Sequence, residues 1–148
     1  ITINTPNEAV YPWLVQMGAD KSGLYSYTWL ENLLGCKMAK VEEIRAEWQD
    51  LKPGDLMKMC AKDPAPPPYV VAQIIRNEAV IFHHHENDRV VDSWAFVLQP
   101  QSSGGTRLIS RTRTTLTGSF WEILRPISFM MERKMLLTIK LLAEHHVN

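Results

Sequence analysis

The chain has 148 residues, the length of one domain, and 45% of them are hydrophobic, which is ordinary for a globular protein. Its 16 lysines and arginines balance 16 aspartates and glutamates, so the composition gives no support for nucleic-acid binding. No run of 18 apolar residues occurs, and no membrane span is expected within this chain. We therefore expect a single domain over residues 1–148, with no cofactor implied and the oligomeric state left open.

The start of the chain and its two cysteines bear on location. The first residue, Ile1, already belongs to a predicted strand, and no signal peptide is recognisable. We expect that an upstream membrane or targeting segment has been removed, and a cytoplasmic location is favoured. Cys36 and Cys60 have neither CxxC nor zinc-type spacing. Two free, partly buried thiols are the first expectation, and one disulfide is the alternative.

Two short helices are predicted after a first strand over residues 1–4. The run TPNE at 5–8 is typical of a capping box with proline at the first helical position, and this helix should end at Gly18. A second helix should begin at Thr28, which Glu31 follows three residues later, and end at Gly35. Its expected buried side consists of Trp29, Leu30, Leu33 and Leu34. A third short helix is predicted over 41–48.

Alternating patterns then replace the helical ones. They predict five further strands, over residues 55–61, 69–75, 79–85, 90–99 and 106–114. Because the connections between the later strands are short, these strands should form an antiparallel meander.

A long final helix is predicted from Leu124 onward. Pro126 should mark its first turn or a kink. Its apolar stripe must be buried against one face of the sheet. The predicted stripe consists of Ile127, Met131, Met135, Thr138 and Leu142.

Five segments carry a resemblance to a known family. They are PWLVQMG (12–18), GLYSYTWLENLLG (23–35), EWQDLKPGD (47–55), SWAFVLQP (93–100) and MERKML (131–136). Together they resemble the uncharacterised bacterial members of the START-like superfamily, also described as SRPBCC proteins, which includes birch-allergen-like proteins and polyketide cyclases. The resemblance covers nearly the whole chain. It implies an α+β, helix-grip fold, in which a curved antiparallel sheet wraps around the long C-terminal helix and encloses a hydrophobic cavity.

The resemblance does not fix an activity, because members bind lipids, pigments or polyketides, act as enzymes, or assist chaperones. The chain departs from the family in two respects. Six strands are counted where the fold usually has seven, and Thr28 stands where many relatives have aspartate. Both residue types cap helices, so the helix start should be preserved.

Strand alternation predicts which side chains would line such a cavity. The alternative is that these side chains simply meet and fill a core. The predicted ligand-cavity residues are Tyr25, Tyr27, Met57, Met59, Phe82, His84, Trp94, Phe96, Ser110, Thr112, Met131, Met135 and Thr138. Val80, Leu98 and Leu108 share the same face of their strands.

Two polar groups in this set have alternative roles. Tyr25 and Tyr27 either gate the cavity or anchor the helix pair against the sheet. The run HHH at 83–85 suggests a metal site, but alternation turns His84 away from His83 and His85, so the three cannot converge. We expect no metal site, and His84 is interpreted as a polar contact inside the cavity.

The first functional hypothesis is the binding of a hydrophobic or aromatic small molecule in this cavity. The second is a cyclase or dehydratase type of enzyme in the same pocket, which predicts a strongly perturbed ionisable group inside it. The third is a protein-interaction module that assists chaperones, which predicts a collapsed cavity and an exposed apolar patch. No catalytic residue is identified, because the sequence contains no GxSxG, HExxH or glycine-rich phosphate motif.

Overall fold

The fold was analysed in a computed structural model that describes residues 1–33, 35–62, 67–115 and 119–146. Side chains are described throughout these ranges except at residues 119–125. Leu34, predicted on the buried side of the second helix, lies outside the described residues.

One antiparallel sheet of six strands forms the centre of the protein. The strand order is β1-β6-β5-β4-β3-β2, and every neighbouring pair is antiparallel. The predicted α+β class and antiparallel meander are therefore confirmed. The strands are β1 (Thr2–Ile3), β2 (Leu56–Met57), β3 (Tyr69–Ile75), β4 (Ala79–Glu86), β5 (Arg89–Pro100) and β6 (Thr106–Thr114).

The first two strands are shorter than predicted, because their flanking backbone bonds to groups outside the sheet. The Asn4 amide donates to the Glu144 side chain at 2.7 Å. After β2, the Lys58 carbonyl accepts from Ala19 at 2.8 Å, and the Ala61 amide donates to Cys36 at 3.1 Å. These bonds replace the ladder that the alternating pattern predicted over 55–61.

Three α-helices accompany the sheet: α1 (Asn7–Val15), α2 (Thr28–Leu33) and α3 (Ser119–His146). The predicted helix over 41–48 is reduced to a single 3-10 turn, Ala46–Trp48. The predicted capping box is wrong, since Pro6 is the N-cap and no side chain caps α1. Thr5 is instead buried beside β6, where the Thr106 hydroxyl donates to the Thr5 carbonyl at 2.7 Å.

The predicted buried side of α2 is wrong at Trp29 and Leu33, whereas Leu30 is partly buried. Trp29 is 67% exposed and Leu33 75% exposed, whereas Glu31 is 6% exposed. A helix of six residues has little apolar area to orient it, and α2 is tethered at both ends. Before it, the Ser26 hydroxyl donates to the Met131 carbonyl at 3.2 Å. After it, Cys36 is held by a covalent bond. These tethers, and not the apolar residues, set which side of α2 is buried.

That covalent bond is a disulfide between Cys36 and Cys60, whose Cα atoms are 4.8 Å apart. The expectation of two free thiols is therefore wrong. The bond joins the segment after α2 to the segment after β2, where the Ala61–Cys36 backbone hydrogen bond already holds the two segments side by side.

The long helix α3 begins at Ser119, earlier than predicted, so Pro126 lies inside it and not in its first turn. Its buried positions are Met135, Ile139 and Ala143, which recur every four residues. Ile127, predicted on the buried stripe, is 49% exposed. Among the described side chains, those of the C-terminal half of α3 therefore supply the buried apolar contact with the sheet. Within the described ranges, no helix combines the length and the apolar character needed to cross a membrane.

Candidate functional site

The inner face of the sheet, which α3 covers, has two chemically different ends. Cross-strand pairing places Leu98 opposite Leu108, and His84 opposite Asp92 farther along the sheet. We define the apolar end as Val80, Phe82, Phe96, Leu98 and Leu108 with Met135, Ile139 and Ala143 of α3. We define the polar end as Tyr69, His84, Asp92, Trp94, Ser110 and Glu132.

The apolar end is closely packed core. All eight of its side chains are at most 2% exposed, and the rings of Phe82 and Phe96 meet edge to face at 6.3 Å. Phe82, Phe96 and Met135 were predicted to line a cavity, and the structure places them in this core. Met57 is buried with them, and Met59 packs against them partly buried. Contact of these residues with a ligand stays a prediction.

At the polar end, aromatic rings surround a carboxylate. The Tyr69 hydroxyl donates a hydrogen bond to Oδ2 of Asp92. Burial, followed by this hydrogen bond and the Asp92 charge, raises the pKa of Tyr69 well above its usual range, so the phenol stays protonated and keeps donating. The ring of Tyr69 lies 5.9 Å from that of His84 and 5.9 Å from that of Trp94.

Two atoms of this cluster have no hydrogen-bond partner. Nε2 of His84 and Oδ1 of Asp92 are both buried, and no described group bonds to either. A buried polar atom left without a partner costs about 1–3 kcal/mol. The two residues are paired across β4 and β5, so the two unpartnered atoms belong to neighbouring side chains on the same face of the sheet.

A second chain of bonds ties the polar end to α3. Trp94 Nε1 donates to the Ser110 hydroxyl at 2.9 Å, and that hydroxyl donates to Glu132 Oε1. The Trp94 ring also lies 4.9 Å from that of Phe96, at the border with the apolar end. The hydrogen bond from Ser110 makes Glu132 part of the inner face.

Sequence reasoning identified His84, Trp94 and Ser110 here but missed Tyr69, Asp92 and Glu132. Asp92 is in phase with Trp94, two residues earlier on β5, so strand alternation was a sufficient signal for it. Tyr69 has the same phase as the buried Val71 on β3. The signal for Glu132 was weaker, because only the direction in which α3 crosses the sheet brings it to Ser110.

The two predicted tyrosines have different surroundings. Tyr25 is buried, hydrogen-bonded to Gln16 Nε2 at 3.1 Å and to the Ser22 hydroxyl at 2.8 Å, and packed edge to face on Trp13. Burial raises the pKa of Tyr25 to about 12. Of the two roles considered, this environment matches an anchor of the helix pair. Tyr27 is partly buried.

The remaining predicted cavity residues lie at the margins of the inner face. Met131 is partly buried, and its carbonyl accepts the hydrogen bond from Ser26. The Thr138 hydroxyl donates to the Lys134 carbonyl of its own helix at 2.9 Å. Thr112 is exposed. None of the three therefore offers a buried, unpartnered polar atom.

Glu31 adds a carboxyl group that no part of the prediction used for binding. It is buried on α2, neither oxygen has a described partner, and desolvation raises its pKa. Ser26, before this helix, bonds to the Met131 carbonyl of α3, and Cys36, after it, is joined to Cys60. These two bonds tie α2 to α3 at one end and to the segment after β2 at the other.

The outer face of the sheet carries the other two histidines of the 83–85 run. The rings of His83 and His85 are 6.0 Å apart, on the side of β4 opposite to His84. Where the structure gives positions, no three histidine, cysteine or acidic side chains come together in a way that could hold a metal ion.

Two other surfaces have a feature that binding sites share, an open groove in one case and exposed apolar side chains in the other. An open groove of about 1000 Å³ lies near the start of α1, bordered by the β3–β4 and β5–β6 turns. It is wide open to solvent, and none of its lining residues has an unpartnered buried polar atom. Separately, Trp29 and Leu33 on α2 and Phe129 and Met130 on α3 are each more than half exposed. A protein partner at these apolar side chains stays a prediction.

Comparison with known proteins supports the architecture. No protein-family model matches the chain, and no curated protein matches it. The crystal structure of protein MLL2253 from Mesorhizobium loti is similar, with a TM-score of 0.58 over 98% of this chain and 95% of that chain. The two sequences are 12% identical, so the similarity shows the fold alone.

Proposed function

We propose that the protein is a START-like, helix-grip domain that binds a hydrophobic or aromatic small molecule. The binding site lies at the polar end, beside Glu132 of α3. The sheet order, the long helix across its inner face and the similarity to MLL2253 are compatible with that fold. The observation that carries the proposal is the pair of buried, unpartnered atoms, His84 Nε2 and Asp92 Oδ1.

The division of labour within the site follows from its chemistry. The Tyr69 and Trp94 rings offer apolar and aromatic surface, which supplies most of the affinity for a hydrophobic ligand. His84 and Asp92 supply few but fixed polar contacts, which orient it. Their hydrogen bonds to a ligand would remove the cost of burying them unpartnered. The ligand thus completes a set of interactions that the chain leaves incomplete.

Mass spectrometry of the small molecules released on denaturing freshly purified protein tests this proposal. We expect a hydrophobic compound in stoichiometric amount from the wild type. His84→Phe keeps an aromatic ring but removes the nitrogen, and should lower the recovered amount at least several-fold. The matched control is His83→Phe, the same change on the outer face, which should recover as much as the wild type. Equal recovery from both variants would place the ligand elsewhere.

Acid–base catalysis in the same site is the second candidate function. It predicts a strongly perturbed ionisable group inside the pocket. The Glu31 carboxyl is the candidate that we test, because it is buried on α2 and desolvation raises its pKa. The released compound, returned to the protein in deuterated water, would then gain mass by exchange of an activated C–H. Exchange that is lost in Glu31→Gln would support catalysis, and no exchange with the wild type would favour binding alone.

A further inference from the structure

Three carboxyl groups that are at least partly buried have no cationic partner among the described side chains. Asp92 and Glu132 belong to the polar end, and Glu31 is buried on α2. None of the three forms an ion pair with any lysine or arginine whose side chain the structure describes. The pairs that those basic side chains form involve other acidic residues, such as Asp20, Asp50 and Glu144. A buried carboxylate is stable when a cation or several donors reach it.

Asp92 is hydrogen-bonded directly to one of the aromatic side chains. One of its oxygens accepts from Tyr69, and the other is buried without a partner. Tyr69 and Trp94, with centroids 5.9 Å apart and planes tilted by 56°, form two walls of a corner. Aromatic faces attract cations within about 6 Å of the ring centroid. A carboxylate beside two aromatic walls is therefore an environment for a cation with apolar surroundings.

A metal ion does not fit this environment. The described part of the chain has no cluster of three potential metal ligands, and each of these carboxylates stands with aromatic or hydroxyl neighbours instead. An organic cation fits, because a protonated amine needs only one or two carboxylate contacts and its carbon body can pack on the exposed parts of the Tyr69 and Trp94 rings, both of which are only partly buried.

We propose that the ligand of the polar end carries a protonated amine on an apolar or aromatic body. This inference rests on the proposed function and adds the charge of the ligand to it. The amine donates to Oδ1 of Asp92, the Tyr69 and Trp94 rings pack on its charged end, and Glu132 contributes a second negative charge. An anionic ligand with the same body is repelled by both carboxylates.

Three probes with one common body test the inference: phenylbutylamine, phenylbutanol and phenylbutyrate. Calorimetric titration at about pH 8 keeps the amine charged and an ordinary imidazole neutral. The expected order of affinity is amine, then alcohol, then carboxylate, with the amine at least about tenfold tighter than the alcohol. Equal affinities, or tighter binding of the carboxylate, overturn the inference and leave the proposed function standing. Binding of none of the three overturns both.

A charge-removing variant locates the effect. Asp92→Asn keeps the size and the acceptor for Tyr69, and should weaken amine binding about tenfold while changing alcohol binding little. Glu132→Gln should act in the same direction and more weakly. The control is Asp88→Asn, the same change in the exposed β4–β5 turn, which should bind all three probes as the wild type does. Equal losses of amine and alcohol in Asp92→Asn would show a structural effect and overturn the inference.

Discussion

The two ends of the inner face are built from the same strands but perform different tasks. At the apolar end, Phe96 and Leu108 are fully buried, and Met135 and Ile139 of α3 complete the packing. At the polar end, the same strands present His84 and Asp92, each of which has one buried side-chain atom, Nε2 and Oδ1, without a described partner. At the apolar end, the side chains of the protein satisfy one another. At the polar end, two polar atoms remain without a described partner. The difference shows where stability resides and where a ligand fits.

Helix α3 explains how one sheet face acquires both characters. Its C-terminal half places a buried residue on the sheet every four positions, from Met135 to Ala143. Its side chains from Pro126 to Met130 are all exposed, so this part of the helix buries none of them on the sheet. The helix therefore packs on the apolar end with its C-terminal half and reaches the polar end through Glu132.

The comparison is tested most strongly by truncating a ring at the apolar end. Phe96→Ala should lower the free energy of unfolding by about 3–5 kcal/mol, because it leaves a cavity in packed core. Urea denaturation followed by circular dichroism measures the change. A loss below about 1 kcal/mol would mean that this end is loosely packed and could itself be the ligand cavity.

The disulfide should come second in size. Removing it with a Cys36→Ser, Cys60→Ser double variant should cost about 2–4 kcal/mol, because the bond restricts the unfolded chain. Thermal unfolding with and without reductant provides the comparison. The wild type under reductant should match the double variant, and an unchanged melting temperature in both would contradict a structural role for the bond.

Removing an unpartnered atom at the polar end should have the opposite sign. His84→Phe should raise the free energy of unfolding by about 1 kcal/mol in ligand-free protein, since the buried nitrogen disappears and the ring stays. His83→Phe, on the outer face, is the matched control and should change stability little. A destabilised His84→Phe would show that Nε2 is satisfied in solution, and the contrast between the two ends would weaken.

The smallest expected effect concerns Glu31 and depends on pH. Its pKa is raised in the folded protein, so folding takes up a proton and stability falls as pH rises from the unfolded pKa through the folded one. Glu31→Gln should thus have little effect at acid pH and raise the melting temperature at alkaline pH, by about 2–4 °C per kcal/mol. An equal shift at every pH would contradict the linkage. Glu8→Gln, at an exposed position of α1, is the control.

Sequence alone predicts the sheet well, because alternation and short hairpins constrain it locally. The predicted ranges 69–75 and 106–114 coincide with Tyr69–Ile75 and Thr106–Thr114. The orientation of α2 could not be predicted, since a six-residue helix follows its tethers, and the Cys36–Cys60 bond depends on a long-range approach.

Only part of the site could be predicted, because the sequence shows local patterns better than contacts between distant segments. Alternation is a local property, and it correctly assigned His84 and Trp94 to the inner face. What gives the polar end its chemistry is pairing between strands, which brings Asp92 opposite His84 and the Tyr69 ring beside both. That register becomes visible only when the strands are assembled. The same holds for Glu132, which reaches Ser110 only because of the path of α3.

The most direct test follows the indole N–H signals in a two-dimensional NMR titration with phenylbutanol. Two of the five tryptophans distinguish the polar end from the buried core. Trp94 belongs to the polar end, whereas Trp13 of α1 is buried in the core against Tyr25 and His146. Trp94→Phe assigns the first signal. The account predicts that the Trp94 signal moves in a saturable way while that of Trp13 stays in place. Movement of Trp13 alone, or of neither, would contradict it.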